Sequence, residues 1–412
     1  MDRAVLIVGS GLLQVPLIQE AKNLGLYVIA TDRNLDAPGF AFADEGLRLD
    51  TYDVEAHKVW AHTLADHTQP YPLCGVTTSG ADVAVTVAEA AAAAHVPGIP
   101  VSVARHVGNK AKVRDTLLVT GLQCYQPEWM HWVPGDMPRT ITEAIENEIG
   151  YPCVLKPLHQ RASRGVSIVR TADHLVKALE KVMEYGDSFL IEEYLTGTEH
   201  SAEMLLDASG QCLYFNMDRR IFDYTAPSPL EIGHINPWNH DKVLWEEIQR
   251  MVSRCAAALG LHFGVVKADV LWTANGPKLL EICPRLSGMF ANNVQRSTGQ
   301  EPLKALLQLS CQLPLTAILT PHTTRYTASA AIIPHKEGII RQLPSHFEPP
   351  QIGSSLCYEE ILWNVQQGET VTFPQHCAQR AGFVVVSSND ASEAWDIAQE
   401  SAALLAARME II

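Results

Sequence analysis

Apolar residues in this chain fall into short unbroken runs that alternate with helical patterns. Residues 4–8 (Ala-Val-Leu-Ile-Val) are apolar throughout, as a strand covered on both faces of a parallel sheet must be. Gly9-Ser10-Gly11 makes the turn, and residues 12–24 place apolar side chains at helical spacing before Gly25, a natural C-cap. Tyr27-Val28-Ile29-Ala30 is the next strand, ending at Asp32. Residues 75–78 and the alanine-rich run 83–94 repeat the alternation. The pattern predicts a doubly wound, Rossmann-like unit over residues 1–108.

The pattern changes at Asn109. Residues 110–119 read as a short helix, and Pro127, Pro134 and Pro138 mark an irregular connection. Residues 151–157 form a strand that delivers Lys156, 159–165 a polar loop of small residues, 166–169 a return strand, and 173–185 an amphipathic helix. The strand 189–195 runs into a turn at Gly197. Strands and helices mix up to about residue 315. The tail carries two β-rich stretches, 327–334 and 382–388, and a last helix over 391–409. A mixed α/β chain of four units is expected: 1–108, 109–188, 189–318, and a small α+β cap at 319–412.

Composition narrows the classes. A chain of 412 residues, 47% hydrophobic and 19% charged, is long enough for several packed cores. Its net charge of -15 argues against a nucleic-acid partner, which would need a basic face. Nine cysteines lie singly with no C-x-x-C pair, which points to reduced thiols in a cytoplasm and gives no zinc signature. The first residues read as a strand, not a signal peptide, and no apolar run reaches the ~18 residues of a membrane span.

The candidate chemistry is densest near residue 280. Asp269 lies in the apolar run 264–271, and Glu281 in the run 279–282, with Arg285 four residues on. Two hard oxygen ligands on neighbouring antiparallel strands suit magnesium, and the arginine suits a phosphate or carboxylate. The plainer alternative is a surface ion pair between Glu281 and Arg285, but unpaired charges inside apolar strands are costly. Lys156, at the end of an apolar strand beside a small-residue loop, is placed to meet phosphate oxygens as a point charge, as is Lys110. The loop with Ser163, Arg164 and Gly165 offers backbone N–H groups to a triphosphate, or is an ordinary hairpin. Glu192, Glu193 and Leu195 form a strand edge able to face an adenine rim, with Glu199 beyond for ribose hydroxyls. Glu231 and His234 lie in what reads as a proline-rich loop, where a histidine is ordinarily structural. Gly9-Ser10-Gly11 with Asp32 resembles a dinucleotide fingerprint, but Gln14 stands where the third glycine belongs.

Taken in order, these segments resemble the ATP-grasp superfamily of carboxylate–amine and carboxylate–thiol ligases, over nearly the whole chain. Residues 13–18, 31–34 and 37–39 look like the domain preceding the grasp in these enzymes, and within the superfamily the chain is most similar to L-amino-acid ligases. The resemblance implies an ATP-grasp fold and an ATP-dependent ligase using Mg2+ (or Mn2+) on small-molecule carboxylate and amine substrates, cytoplasmic and, as in many relatives, a homodimer. It implies that Lys110, Lys156 and the loop with Ser163, Arg164 and Gly165 hold ATP phosphates. Glu192, Glu193 and Leu195 then border adenine, and Glu199 the ribose. Asp269 and Glu281 bind the metal. Arg285 with the backbone of Gly288 steadies an acyl phosphate or substrate carboxylate, Arg285 and Lys156 being catalytic. Glu231 and His234 meet the amino-acid substrate. Two departures stand out: Cys283 replaces a common metal-ligating Asn, and Asp269 a more usual Glu. A bicarbonate-activating enzyme of the same fold, a nicotinamide-dependent oxidoreductase or sensor built on the first unit, and a non-catalytic regulator are the alternatives.

Overall fold

The computed structural model describes residues 3–66, 70–134, 140–225, 228–322, 325–344 and 357–412, without the side chains of 289–291. Pro138 lies outside the described residues. The first sheet is parallel, built from β1 (Ala4–Val8), β2 (Tyr27–Asp32), β3 (Glu45–Arg48) and β4 (Leu73–Thr77) in the order β3-β2-β1-β4. Alternate residues of β1 enter different cores. Val5 and Ile7 pack with Leu17 and Ile18, whereas Ala4, Leu6 and Val8 pack with Ala61 and Ala90. Side chains alternate along a strand, so an all-apolar strand is what helices on both faces require. Gly25 takes φ 74° just past the first helix, Val15–Asn23.

The second sheet is antiparallel: β5 (Trp129–Trp132), β6 (Cys153–Pro157), β7 (Ser167–Val169) and β8 (Phe189–Glu193), in the order β5-β8-β6-β7. Helices Ile141–Glu148 and Leu175–Met183 cover one face through Ala144, Ile145, Leu175, Ala178 and Val182. By strand pairing β8 belongs here, a few residues beyond the unit edge expected at 188.

The third sheet has eight strands. The remaining strands are β9 (Thr198–Leu206), β10 (Cys212–Asp223), β11 (Leu230–Asn236), β12 (Gly264–Thr273), β13 (Gly276–Cys283), β14 (Tyr326–Ile332), β15 (Gly338–Gln342), β16 (Cys357–Trp363), β17 (Thr370–Val371), β18 (Gly382–Ser388) and β19 (Glu410–Ile411). The sheet runs β13-β12-β9-β10-β11-β14-β18-β16, while β17-β15-β19 form a small separate sheet. The expected C-terminal cap is therefore continuous with the third unit: β14 pairs with β11 and carries β18 and β16 onto the same sheet. Helix Lys242–Ala258 packs behind β9 and β12 through Ile248, Met251, Val252 and Cys255, and helix Ala391–Arg408 backs β14 and β18 through Ile397, Ala398 and Leu405. Among the described residues no helix is long and apolar enough to cross a membrane.

Candidate active site

Antiparallel pairing of β12 with β13 sets Asp269 directly opposite Glu281, with a register shift just after Asp269. Cross-strand partners share a face, so the two carboxylates stand side by side as their apolar runs imply. Both line a cavity of about 540 Å³ between the second and third sheets. Around it also lie Lys110, Lys156, Ser163, Glu192, Glu193, Leu195, Glu199, Glu231, His234, Arg285 and Gly288. Arg164 and Gly165 are not in its lining: Arg164 is exposed and Gly165 is buried. Gly165 shapes the loop. It has φ 71°, and a Cβ there would lie 2.6 Å from the Tyr185 ring and 2.7 Å from Pro157. Ala162 and Ser163 also take positive φ, 56° and 60°, a conformation costly for residues with side chains.

Charges inside the cavity are matched in pairs. Lys156 is buried and its Nζ lies 2.5 Å from Glu192, whose other oxygen meets Arg114 Nε at 2.9 Å. Burial alone would lift the Glu192 carboxyl, but Arg114 and Lys156 hold it below the usual range; burial lowers Lys156, with Glu192 opposing. The carboxylate expected near adenine is thus the anchor of the expected phosphate lysine. Asp269 sits 3.0 Å from Arg220 Nη1 and 2.5 Å from Lys267 Nζ. Burial would raise it, and these two cations keep it low. Lys110 Nζ contacts Glu281 at 3.0 Å and donates to the Gln160 carbonyl at 2.7 Å. Glu281 does not pair with Arg285, whose Nε binds Asp82 at 2.7 Å instead.

Glu231 and His234 need a correction: they lie in strand β11, not a loop, and a register shift against β10 between them lets residues three apart face the same cavity. Glu231 faces Phe222 and His234 faces Arg220 on β10. Flanking Ser228-Pro229 and Pro237 disguise a short strand whose pocket-facing side is polar. Glu231 gathers Arg220 Nε at 2.5 Å, Arg380 Nη1 at 3.1 Å and His234 Nε2 at 3.1 Å, while His234 Nδ1 meets Asp218 at 2.6 Å. Burial would favour neutral imidazole, but Glu231 and Asp218 push His234 up to about 9. Glu199 is raised, chiefly by burial, and accepts from the Tyr224 hydroxyl. Arg220 also stacks over Phe222 at 4.8 Å and Arg380 over Phe383 at 4.6 Å.

Sequence reading missed Asp82, Arg114, Arg220, Lys267 and Arg380. Lys267 had a signal: it stands two residues before Asp269 on one strand, hence on the same face. Asp82, Arg220 and Arg380 reach the cavity only through tertiary pairing, and Arg114 stays outside its lining, buried against Glu192.

Hard carboxylate oxygens fit magnesium, which would complete its shell with phosphate oxygens and water. Among the described residues no three His, Cys, Asp or Glu side chains form a metal cluster. Cys283 is a poor match for magnesium, a hard cation that takes oxygen ligands where sulfur is a soft donor. In the first unit the Gln14 side chain packs against the Gly9-Ser10-Gly11 turn. It lies 3.1–3.5 Å from where Cβ atoms of Gly9 and Gly11 would stand, and its amide donates to the Ser79 carbonyl. Asp32 is committed to the amides of Ser10 and Asn34.

The chain has the ATP-grasp fold, and residues 149–293 match the family model of the ATP-grasp domain. The chain is 27% identical over 289 residues to the uncharacterized protein y4rH of Sinorhizobium fredii, covering 66% of this chain and 55% of y4rH. It is 33% identical over 153 residues to a D-alanine–D-alanine ligase of Maridesulfovibrio salexigens, covering 36% of this chain and 50% of the ligase. The chain thus spans about half the length of these curated relatives. In structure it resembles the L-amino acid ligase of Bacillus licheniformis with a TM-score of 0.75 at 20% identity, over 95% of both chains.

Proposed function

We propose that this chain is an ATP-dependent carboxylate–amine ligase that activates a carboxylate as an acyl phosphate and joins it to an amine, releasing ADP and phosphate. The carrying observation is that Lys156, the Asp269–Glu281 pair and Arg285 line one cavity. Support also comes from the similarity to the D-alanine–D-alanine ligase and from the L-amino acid ligase fold. An amino acid is the proposed carboxylate donor.

Asp269 and Glu281 would hold Mg2+, which when bound offsets the charge of the triphosphate. Lys156 and Lys110 approach the phosphates as point charges, and the loop at Ser163 closes over them. For Lys110 this means leaving Glu281, an exchange of one anionic partner for another. Phosphoryl transfer depends on alignment and charge stabilisation. Lys156 is held in place by Glu192, so its ammonium needs little reorganisation. Arg285 then steadies the oxygen that gains charge as the amine attacks the acyl carbon. Glu231, with the protonated His234, gives the cavity an end able to hold an ammonium against a carboxylate. Closure of the loop keeps water from the acyl phosphate.

A phosphate-release screen over amino acids and small acids, singly and in pairs with Mg-ATP, tests the assignment. Amino-acid-dependent release that Glu281→Gln abolishes is expected. Turnover unchanged in Glu281→Gln removes the metal assignment, and release stimulated by bicarbonate alone would replace ligase by bicarbonate activation.

A further inference from the structure

Asp82 belongs to the first unit, yet it sits where three units meet. The segment before it is fastened to the segment after Arg285: Gly80 N donates to the Leu286 carbonyl at 2.8 Å, and Ser79 bridges Leu286. Asp82 Oδ1 accepts from Arg285 Nε at 2.7 Å, and its Oδ2 lies 3.7 Å from Nε of Arg161 in the phosphate-facing loop. Arg161 in turn lies over the Tyr52 ring at 5.7 Å, with Nη1 3.4 Å from its hydroxyl. The same loop is tied elsewhere, since the Gln160 carbonyl accepts from Lys110 and the Ala162 carbonyl from the Cys377 amide.

Resting on the ligase assignment, we infer that Asp82 is a positioning residue that couples closure of the 159–165 loop to the aim of Arg285. The geometry of the guanidinium carries this. Nε is spent on Asp82 and Nη1 reaches the Leu286 carbonyl at 3.4 Å, while Nη2 has no protein partner among the described residues. Asp82 and Leu286 thus fix one edge of the group in a cavity it lines. A charge balance adds to this. One carboxylate facing one guanidinium is neutral. With the loop shut, Arg161 becomes a second guanidinium on the same carboxylate, and a net positive charge stands beside the cavity. That charge is present only when the loop covers the phosphates, the moment at which a transferring phosphoryl group requires it. Burial would raise the Asp82 carboxyl, but Arg285 and then Arg161 bring it down to about 2, so it stays ionised across the working pH range.

The test uses Asp82→Asn, Asp82→Glu, Arg161→Gln and the Asp82→Asn/Arg161→Gln double variant in the full chain. It reads kcat and KM for ATP in the amino-acid-dependent phosphate assay, and trypsin cleavage of the 159–165 loop at Arg164 with and without Mg-ATP. Asp82→Asn is expected to lower kcat 10- to 100-fold while KM for ATP stays within about threefold. It should also speed loop cleavage and weaken protection by Mg-ATP. Asp82→Glu should recover at least threefold in kcat over Asp82→Asn, and the double variant should be no slower than the worse single one, as residues acting through one contact are not additive. Wild-type kcat in Asp82→Asn, an equal multiplication of the two single effects, or unchanged loop cleavage overturns the coupling. A wild-type chain inert toward every substrate removes the ligase assignment instead, and loop cleavage still decides whether Asp82 holds the loop. A circular-dichroism melt matching wild type separates these effects from misfolding.

Discussion

Replacing Glu203 by Gln should produce a pH signature that few other substitutions in this molecule can give. Glu203 is fully buried in β9, between β10 and β12. One oxygen accepts from the Ser287 amide at 2.6 Å; the other has no partner. Burial pushes its carboxyl up to about 8, with the Ser287 amide and Lys267 opposing. The folded group therefore keeps a proton that the unfolded chain, near 4.5, releases. Between those values the folded state binds more protons, so stability falls as pH rises. Each unit is worth about 1.36 kcal/mol, so from pH 5 to pH 8 the wild type loses about 4 kcal/mol through this group. Gln keeps the shape and does not titrate. Its amide nitrogen takes the place of the unpartnered oxygen at a constant cost of about 1 kcal/mol, which offsets the curve without changing its slope. Urea unfolding of both proteins at pH 5, 6, 7 and 8 should show the variant gaining on the wild type by roughly one proton's worth per pH unit. Other titrating groups cancel in the difference. A difference that is flat over this range, or that shrinks as pH rises, would refute a buried neutral carboxyl at 203.

Four further outcomes are expected. Gly233→Ala sets a Cβ 2.1 Å from the Trp395 ring and 2.6 Å from the Ser329 carbonyl; the overpacking should cost about 3 kcal/mol in urea unfolding, and a loss below about 0.5 kcal/mol contradicts the packing of helix Ala391–Arg408 on β11. Lys156→Met leaves Glu192 its Arg114 partner, so the chain should fold while affinity for a fluorescent ATP analogue drops at least about tenfold, or 1.4 kcal/mol; unchanged affinity removes Lys156 from the phosphates. Calorimetry with Mg2+ alone should show no saturable binding below millimolar concentration, because Asp269 and Glu281 already face cations; micromolar binding without nucleotide contradicts this. His234, raised to about 9 from 6.5, contributes stability that is complete below pH 6.5 and lost as pH rises through 9; relative to His234→Gln the wild type should lose about 3 kcal/mol over that window, and a constant difference means the imidazole is not protonated there.

Much of the candidate site's placement was legible because it rides on strands whose cores declare themselves. Runs flanking Asp269 and Glu281 are apolar enough to fix both as strands, and a short turn between them leaves antiparallel pairing as the natural outcome. Lys156 was readable for the same reason. Glu231 and His234 were harder: β11 carries a polar face toward the cavity and is framed by prolines, so its pattern resembles a loop. Asp82 gave no local signal. It follows Ser-Gly-Ala, and its partner Arg285 is 203 residues away in sequence. Nor does any local pattern say that β14 extends the sheet of β11, since edge-to-edge pairing depends on which strand is left open by the rest of the fold.

That extension has a practical consequence. With Glu231 on β11 and Arg380 just ahead of β18, the pocket floor and its far wall are parts of one hydrogen-bonded plate. Cutting the chain near residue 318 would not release a free-standing smaller unit. It would strip β14 from β11 and bare a row of main-chain donors and acceptors, an adhesive margin that invites other chains to dock. A shortened version should precipitate, whereas swapping the tail for one from a related protein, with the β11–β14 register kept, offers a route to recasting which substrates the cavity admits.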